Sequence, residues 1–204
     1  QARSHHVLLH GWFMRYEFFR DHRAVIRHWL RTDVTAPALR SNDLTIHVRS
    51  GDIWQSEKAK DVHSDYHALP WSYYQGILER RTWGRVYLVT EAPDDPMVQK
   101  LAREYSGEVV SRSPVEDFSF IRASTNVVLS ASSFAWWAAW LSEAQSIFYP
   151  VVGIFDPERM NRRPEPMRPN FVIPDDRRYI SVRPEHAEED WVGTPELRER
   201  LLHC

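Results

Sequence analysis

Cysteine is nearly absent. One residue of the type, Cys204, stands among 204, which excludes an intrachain disulfide and a Cys-based zinc site, and suits a reducing, cytoplasmic setting. Charge of one sign is missing too: 26 Lys and Arg against 28 Asp and Glu leave a formal net charge of −2. No global positive field therefore recruits nucleic acid. Long apolar runs are lacking as well. The longest, Phe134–Leu141, falls far short of the roughly 20 residues that cross a bilayer, so no transmembrane segment is expected. Neither an internal repeat nor a low-complexity tract is present. The chain opens at Gln1 without a signal-peptide pattern, and we expect a processed product or a fragment. Glycine is scarce at 7, beside 9 Trp, 8 Tyr and 9 Phe. That aromatic load suggests surfaces able to stack on ring-shaped ligands.

What is present divides into three stretches. Residues 1–40 read as helical: Phe18, Phe19, Val25, Ile26, Trp29 and Leu30 recur near a helical spacing over Tyr16–Leu30, and Thr35-Ala36-Pro37 breaks the pattern. Over residues 41–155 short apolar strands alternate with helices. The strands are Leu44–Val48, Arg85–Val89, Glu108–Val110, Asn126–Leu129 and Ile147–Pro150. The helices run from Trp71 to about Arg80, from Pro96 toward Gly107 with Asp95 as cap, over Glu116–Ala123, and over Phe134–Ser142 after Ser132 and Ser133. Such alternation predicts an α/β fold, a Rossmann-like, mostly parallel sheet with helices on both faces. Residues 156–204, rich in proline and arginine, are expected to wrap the sheet as coil, with a terminal helix at Pro195–Leu202.

Two clusters carry chemistry. The first strand ends in His47-Val48-Arg49-Ser50-Gly51-Asp52, and ligands of open α/β sheets sit beyond the carboxyl ends of strands. Arg49 offers a planar fork suited to a diphosphate, and Gly51 permits a tight turn. A strand-end Arg–Asp salt bridge is the plainer alternative. The second cluster is Leu129-Ser130-Ala131-Ser132-Ser133-Phe134-Ala135-Trp136-Trp137 and its continuation to Leu141. It sets serines between a strand and a helix N-terminus, where amides and hydroxyls make an anion site. Trp136, Trp137 and Trp140 are expected in the core.

His47–Asp52 resembles the His-x-Arg-x-Gly-Asp motif of the α1,2-, α1,6- and protein O-fucosyltransferases, and Ser130–Leu141 resembles the serine–tryptophan block of the α1,2 group. The stretch Leu9–Phe19 is similar to a segment that precedes the motif in that group. The resemblance implies the C-terminal, nucleotide-sugar-binding half of a GT-B glycosyltransferase. It further implies inverting, metal-independent fucosyl transfer from GDP-fucose, a donor substrate rather than a cofactor, to a glycan acceptor, with an α1,2 linkage favoured, as in polysaccharide biosynthesis. By position, Arg49, Ser132 and Ser133 would hold the diphosphate, with His47 and Gly51 beside it. Asp117 would read guanine. The base is Glu57, by analogy with the α1,6 group, or Asp52 within the motif.

This chain departs from the α1,2 pattern at Ser50, where a second arginine is common, and at Ala131, where Asn is usual. A full GT-B enzyme carries a whole acceptor domain ahead of the motif, whereas about 40 residues precede it here. Residues 1–40 are therefore read as an edge of such a domain. The alternative function is a nucleotide-sugar-binding domain with another donor or a need for a partner domain. Asp94-Asp95 is read as helix capping rather than a metal site, and the His63/His67 pair as loop residues. The tail arginines, among them Arg159, Arg163 and Arg178, are read as solvated.

Overall fold

The computed structural model describes residues 14–34, 38–54, 65–164, 168–187 and 191–204, apart from the side chain of Asp52. Glu57 and His63, and the start of the early segment at Leu9, lie outside the described residues. The helix expected over Tyr16–Leu30 is instead two 3-10 turns, Tyr16–Phe18 and Arg20–His22, followed by α1 (Arg23–Trp29). The reason is that separate anchors, not an apolar stripe, fix this segment: Tyr16 lies edge-on to Trp136 and Trp140, and Ile26 packs against the core. Phe19 is buried against Trp136, Trp137 and Trp140, with ring centroids 5.8, 4.4 and 5.3 Å away. Phe18, Val25, Trp29 and Leu30 stay exposed.

The sheet follows. Chain order runs β1 (Leu44–His47), α2 (Gly51–Trp54), α3 (Trp71–Leu78), β2 (Val86–Val89), α4 (Pro96–Tyr105), β3 (Glu108–Val110) and α5 (Pro114–Ala123). It continues with β4 (Asn126–Val128), α6 (Ser133–Trp140), β5 (Ser146–Pro150), α7 (Pro157–Asn161), β6 (Tyr179–Val182) and α8 (Pro195–His203). The strands form one sheet in the order β3-β2-β1-β4-β5-β6, with every pairing parallel. Parallel strands need crossovers that cover both faces, so central strands carry unbroken apolar runs rather than alternation. All four residues of β1 and of β2 are buried accordingly.

Local chemistry sets the helix starts. Asp95 Oδ1 accepts the Met97 amide at 2.8 Å ahead of α4, with Pro96 at its first position. Helix α5 begins two residues before the expected Glu116, because Ser113 and Glu116 form a reciprocal capping box around Pro114. Helix α6 ends at Trp140, where Arg23 donates to the carbonyls of Trp140 and Ser142 at 2.8 and 2.6 Å and so satisfies that end. Trp136 and Trp140 are fully buried, 5.8 Å apart and nearly stacked.

The tail departs most from expectation. The terminal helix expected at Pro195–Leu202 is present as α8, but in place of coil residues 156–204 also contribute α7 and the sixth strand, β6, whose four residues pair with Ile147–Pro150 of β5. The arginines expected to be solvated are partly structural as a result. Arg159 and Arg163 both pair with Asp65, whose side chain is 3% exposed. Arg178 donates to Asp176 and to the Ser142 carbonyl. A buried carboxylate requires such partners.

Candidate active site

From β1 the chain moves outward to β2 and β3, then crosses back to β4 and continues the other way to β5 and β6. The point of reversal lies between β1 and β4, and the crevice beyond their carboxyl ends is where open α/β sheets take ligands. A cleft of about 250 Å³ opens there, lined by His47, Arg49, Val89, Thr90, Glu91, Arg112, Pro114, Asp117, Ser132 and Phe134.

His47 closes β1. It is buried, and its Nδ1 lies 2.6 Å from the Ser130 hydroxyl at the end of β4, a link across the switch point. Burial, with a smaller contribution from the Arg49 charge, depresses its pKa to about 3. The ring is therefore neutral at ordinary pH and far too weak a base to take a proton from a sugar hydroxyl.

Arg49 lies over the Tyr66 ring, 4.5 Å from its centroid, and Nη1 donates to the Ala131 carbonyl at 3.3 Å. The guanidinium is thus drawn toward the Ala131–Ser132 turn. Ser132 occupies the N-cap position of α6, yet its hydroxyl makes no cap bond and lines the cleft. Ser132 and Phe134, at the start of α6, line the same cleft as Arg49, and a helix N-terminus beside a guanidinium suits an anion. Ser133 opens α6 but is not among the lining residues, and neither is Gly51.

Gly51 has a different role. Its amide and that of Ser50 donate to Glu91 Oε1 at 3.0 and 3.1 Å. A Cβ on Gly51 would stand 3.2 Å from that carboxylate, so glycine allows the close approach. Ser50, where the α1,2 pattern has arginine, donates its hydroxyl to Asp95 Oδ2. Capping by Asp95 holds as expected, and the same carboxylate also serves this turn.

Asp117 in α5 also lines the cleft and is 7% exposed. Its Oδ2 receives a long 3.5 Å contact from the Arg112 amide, and its Oδ1 is buried with no partner. Burial raises its pKa, although the Arg112 amide and charge oppose the rise. A buried acceptor in that condition costs about 1–3 kcal/mol, which the chain tolerates where a ligand supplies the donor.

Glu91 and Arg112 were not anticipated. Both stand just past strand ends, β2 and β3, where the reasoning applied to His47 and Arg49 also points. Beside the cleft runs a second groove of about 660 Å³, almost wholly apolar, which shares Pro114 and Phe134 with it and carries the exposed Trp29. Among the described residues, the one grouping of metal-ligand type, Glu185, His186 and Cys204, lies outside the cleft. No helix of the described residues is long and apolar enough to cross a membrane.

Strand order and cleft together define a Rossmann-like α/β domain with a polar crevice at its switch point. Residues 10–173 match the family model described as Glycosyl transferase family 11. The chain belongs to that family and is an enzyme, a glycosyltransferase resembling the α1,2-fucosyltransferases. No curated protein and no solved structure gives a significant match.

Proposed function

We propose that the cleft binds GDP-fucose and that the enzyme transfers fucose to a glycan hydroxyl, with inversion and without a divalent metal. The observation that supports this reading is the unpartnered, buried Oδ1 of Asp117 in a residue that lines the same cleft as Arg49 and Ser132. An ionised carboxylate accepts from both N1–H and the exocyclic amine of guanine, a donor pair that adenine lacks. Arg49, the Ser132 hydroxyl and the α6 amides would hold the diphosphate. In the reaction the acceptor oxygen attacks the anomeric carbon from the side opposite the phosphate. The bond from that carbon to the phosphate oxygen breaks, and GDP departs with the electron pair. Negative charge then grows on the β-phosphate, and Arg49 stabilises it more strongly in the transition state than in the bound donor. His47, held neutral, serves as a polar wall and not as the base. Glu57 or Asp52 takes the proton from the acceptor.

The sheet domain on this reading is the nucleotide-sugar half of a GT-B enzyme, and an acceptor-side domain completes it. Titration calorimetry with GDP, UDP and ADP tests the proposal. GDP is expected to bind and ADP to fail. Equal affinity for all three would overturn the assignment of guanine to Asp117.

A further inference from the structure

The family match ends at residue 173, so α8 lies beyond it. Yet α8 reaches the turn that carries Arg49. Its Arg198 donates to Asp95 Oδ2 at 2.5 Å, with the guanidinium 5.3 Å from the ring centroid of Trp54 in α2. The same Oδ2 accepts the Ser50 hydroxyl, while Oδ1 is taken by the Met97 amide. The Asp95 side chain is 2% exposed, so its charge depends on these partners and on the α4 N-terminus. Ser50 directly follows Arg49 and is itself buried. The turn after β1 is therefore fastened to the loop after β2 twice, by Glu91 through amides and by Asp95 through the Ser50 hydroxyl. Among the described residues, the second fastening is the one paired with a cation of α8.

We infer that Arg198 is a positioning residue for the diphosphate site, acting on Arg49 through Asp95 and Ser50. The inference rests on the reading of Arg49 as a phosphate ligand. Without Arg198, the Asp95 carboxylate is left desolvated with the Ser50 hydroxyl and the Met97 amide. It then admits water or turns away, and either change removes the fixed acceptor that orients Ser50. Arg49 must afterwards be ordered at the expense of ligand binding, and preorganisation is what a binding site gains from such support.

The test is calorimetric titration of the chain and its variants with GDP and with guanosine, thermal unfolding being followed in parallel. Arg198→Ala and Ser50→Ala are each expected to weaken GDP about tenfold and to leave guanosine unchanged. Arg198→Lys restores most of the loss, since the ammonium keeps the charge beside Asp95. In an Arg49→Ala background, Arg198→Ala adds less than about twofold. Ser50→Ala cuts the same connection without touching α8, so it decides the matter even where Arg198→Ala fails to fold. Equal losses for GDP and guanosine, or wild-type GDP affinity in Ser50→Ala, would overturn the inference. Wild type that binds UDP and not GDP would overturn the donor reading alone, and the same variants would then be titrated with UDP and uridine. Wild type that binds neither diphosphate would overturn both.

Discussion

Replacing Asp117 by Asn sets stability against binding. The change is nearly isosteric and keeps an acceptor for the Arg112 amide, but it removes the charge. In the free chain Oδ1 is buried without a donor, and burial raises the pKa of the group. Burial penalises the charged form and the variant carries no charge, so Asp117→Asn is expected to stabilise the unliganded chain at neutral pH by about 1 kcal/mol, even though its amide nitrogen stands without a partner where Oδ1 stood. Binding moves the other way. The asparagine amide turns a donor toward guanine's donor edge, forfeiting a charge-assisted bond of about 1.5–3 kcal/mol, so GDP should weaken by roughly 10- to 150-fold. The pH dependence has a definite sign. Because the folded pKa lies above the ordinary value, the favourable contribution to stability belongs to the protonated form and is lost as pH rises through the folded pKa. Guanine needs the ionised form, so GDP affinity in the wild type falls as pH drops toward that raised pKa from above. Both dependences vanish in Asp117→Asn. Thermal unfolding and GDP calorimetry between about pH 5 and pH 8 read both quantities. A variant that is less stable at neutral pH, or that binds GDP as the wild type does, refutes the reasoning.

Arg49→Lys keeps the charge and loses the fork, and it should lower turnover roughly ten- to a hundredfold, with Arg49→Ala worse. The loss should fall on kcat more than on the donor KM, and unchanged kcat in Arg49→Ala would reduce this arginine to a structural cation over Tyr66. EDTA should leave GDP binding and turnover unaltered, because Arg49 and the α6 N-terminus supply the positive potential; a strict manganese requirement would contradict this. Trp136→Ala removes a fully buried ring whose Nε1 donates to the Phe171 carbonyl at 2.9 Å. It should cost about 3–5 kcal/mol in denaturant unfolding, and a loss under about 1 kcal/mol would mean that the tryptophan cluster does not anchor α6.

Legibility in the sequence followed burial and locality. Central strands such as β1 and β2 announce themselves as unbroken apolar runs because both faces are covered, and Asp95-Pro96 marks a helix start through contacts within two residues. Strand β6 gave no such signal. It forms the edge of the sheet, none of Tyr179–Val182 is fully buried, and nearby prolines suggested coil. The candidate site divides in the same way. His47 and Arg49 stand at the end of β1 and Ser132 at the N-cap of α6, where local rules about strand ends and helix starts point. Glu91 and Asp95 act on the turn after β1 across 40 and 45 residues of chain, Arg198 reaches Asp95 across 103, and no spacing in the sequence expresses those pairings. Asp95 shows the limit most clearly. Its role as a helix cap is correct and accounts for one oxygen, Oδ1. A carboxylate has two, and the second joins the motif turn to α8. A satisfied local explanation thus concealed a long-range one, because the sequence displays the residue while only the fold apportions its atoms.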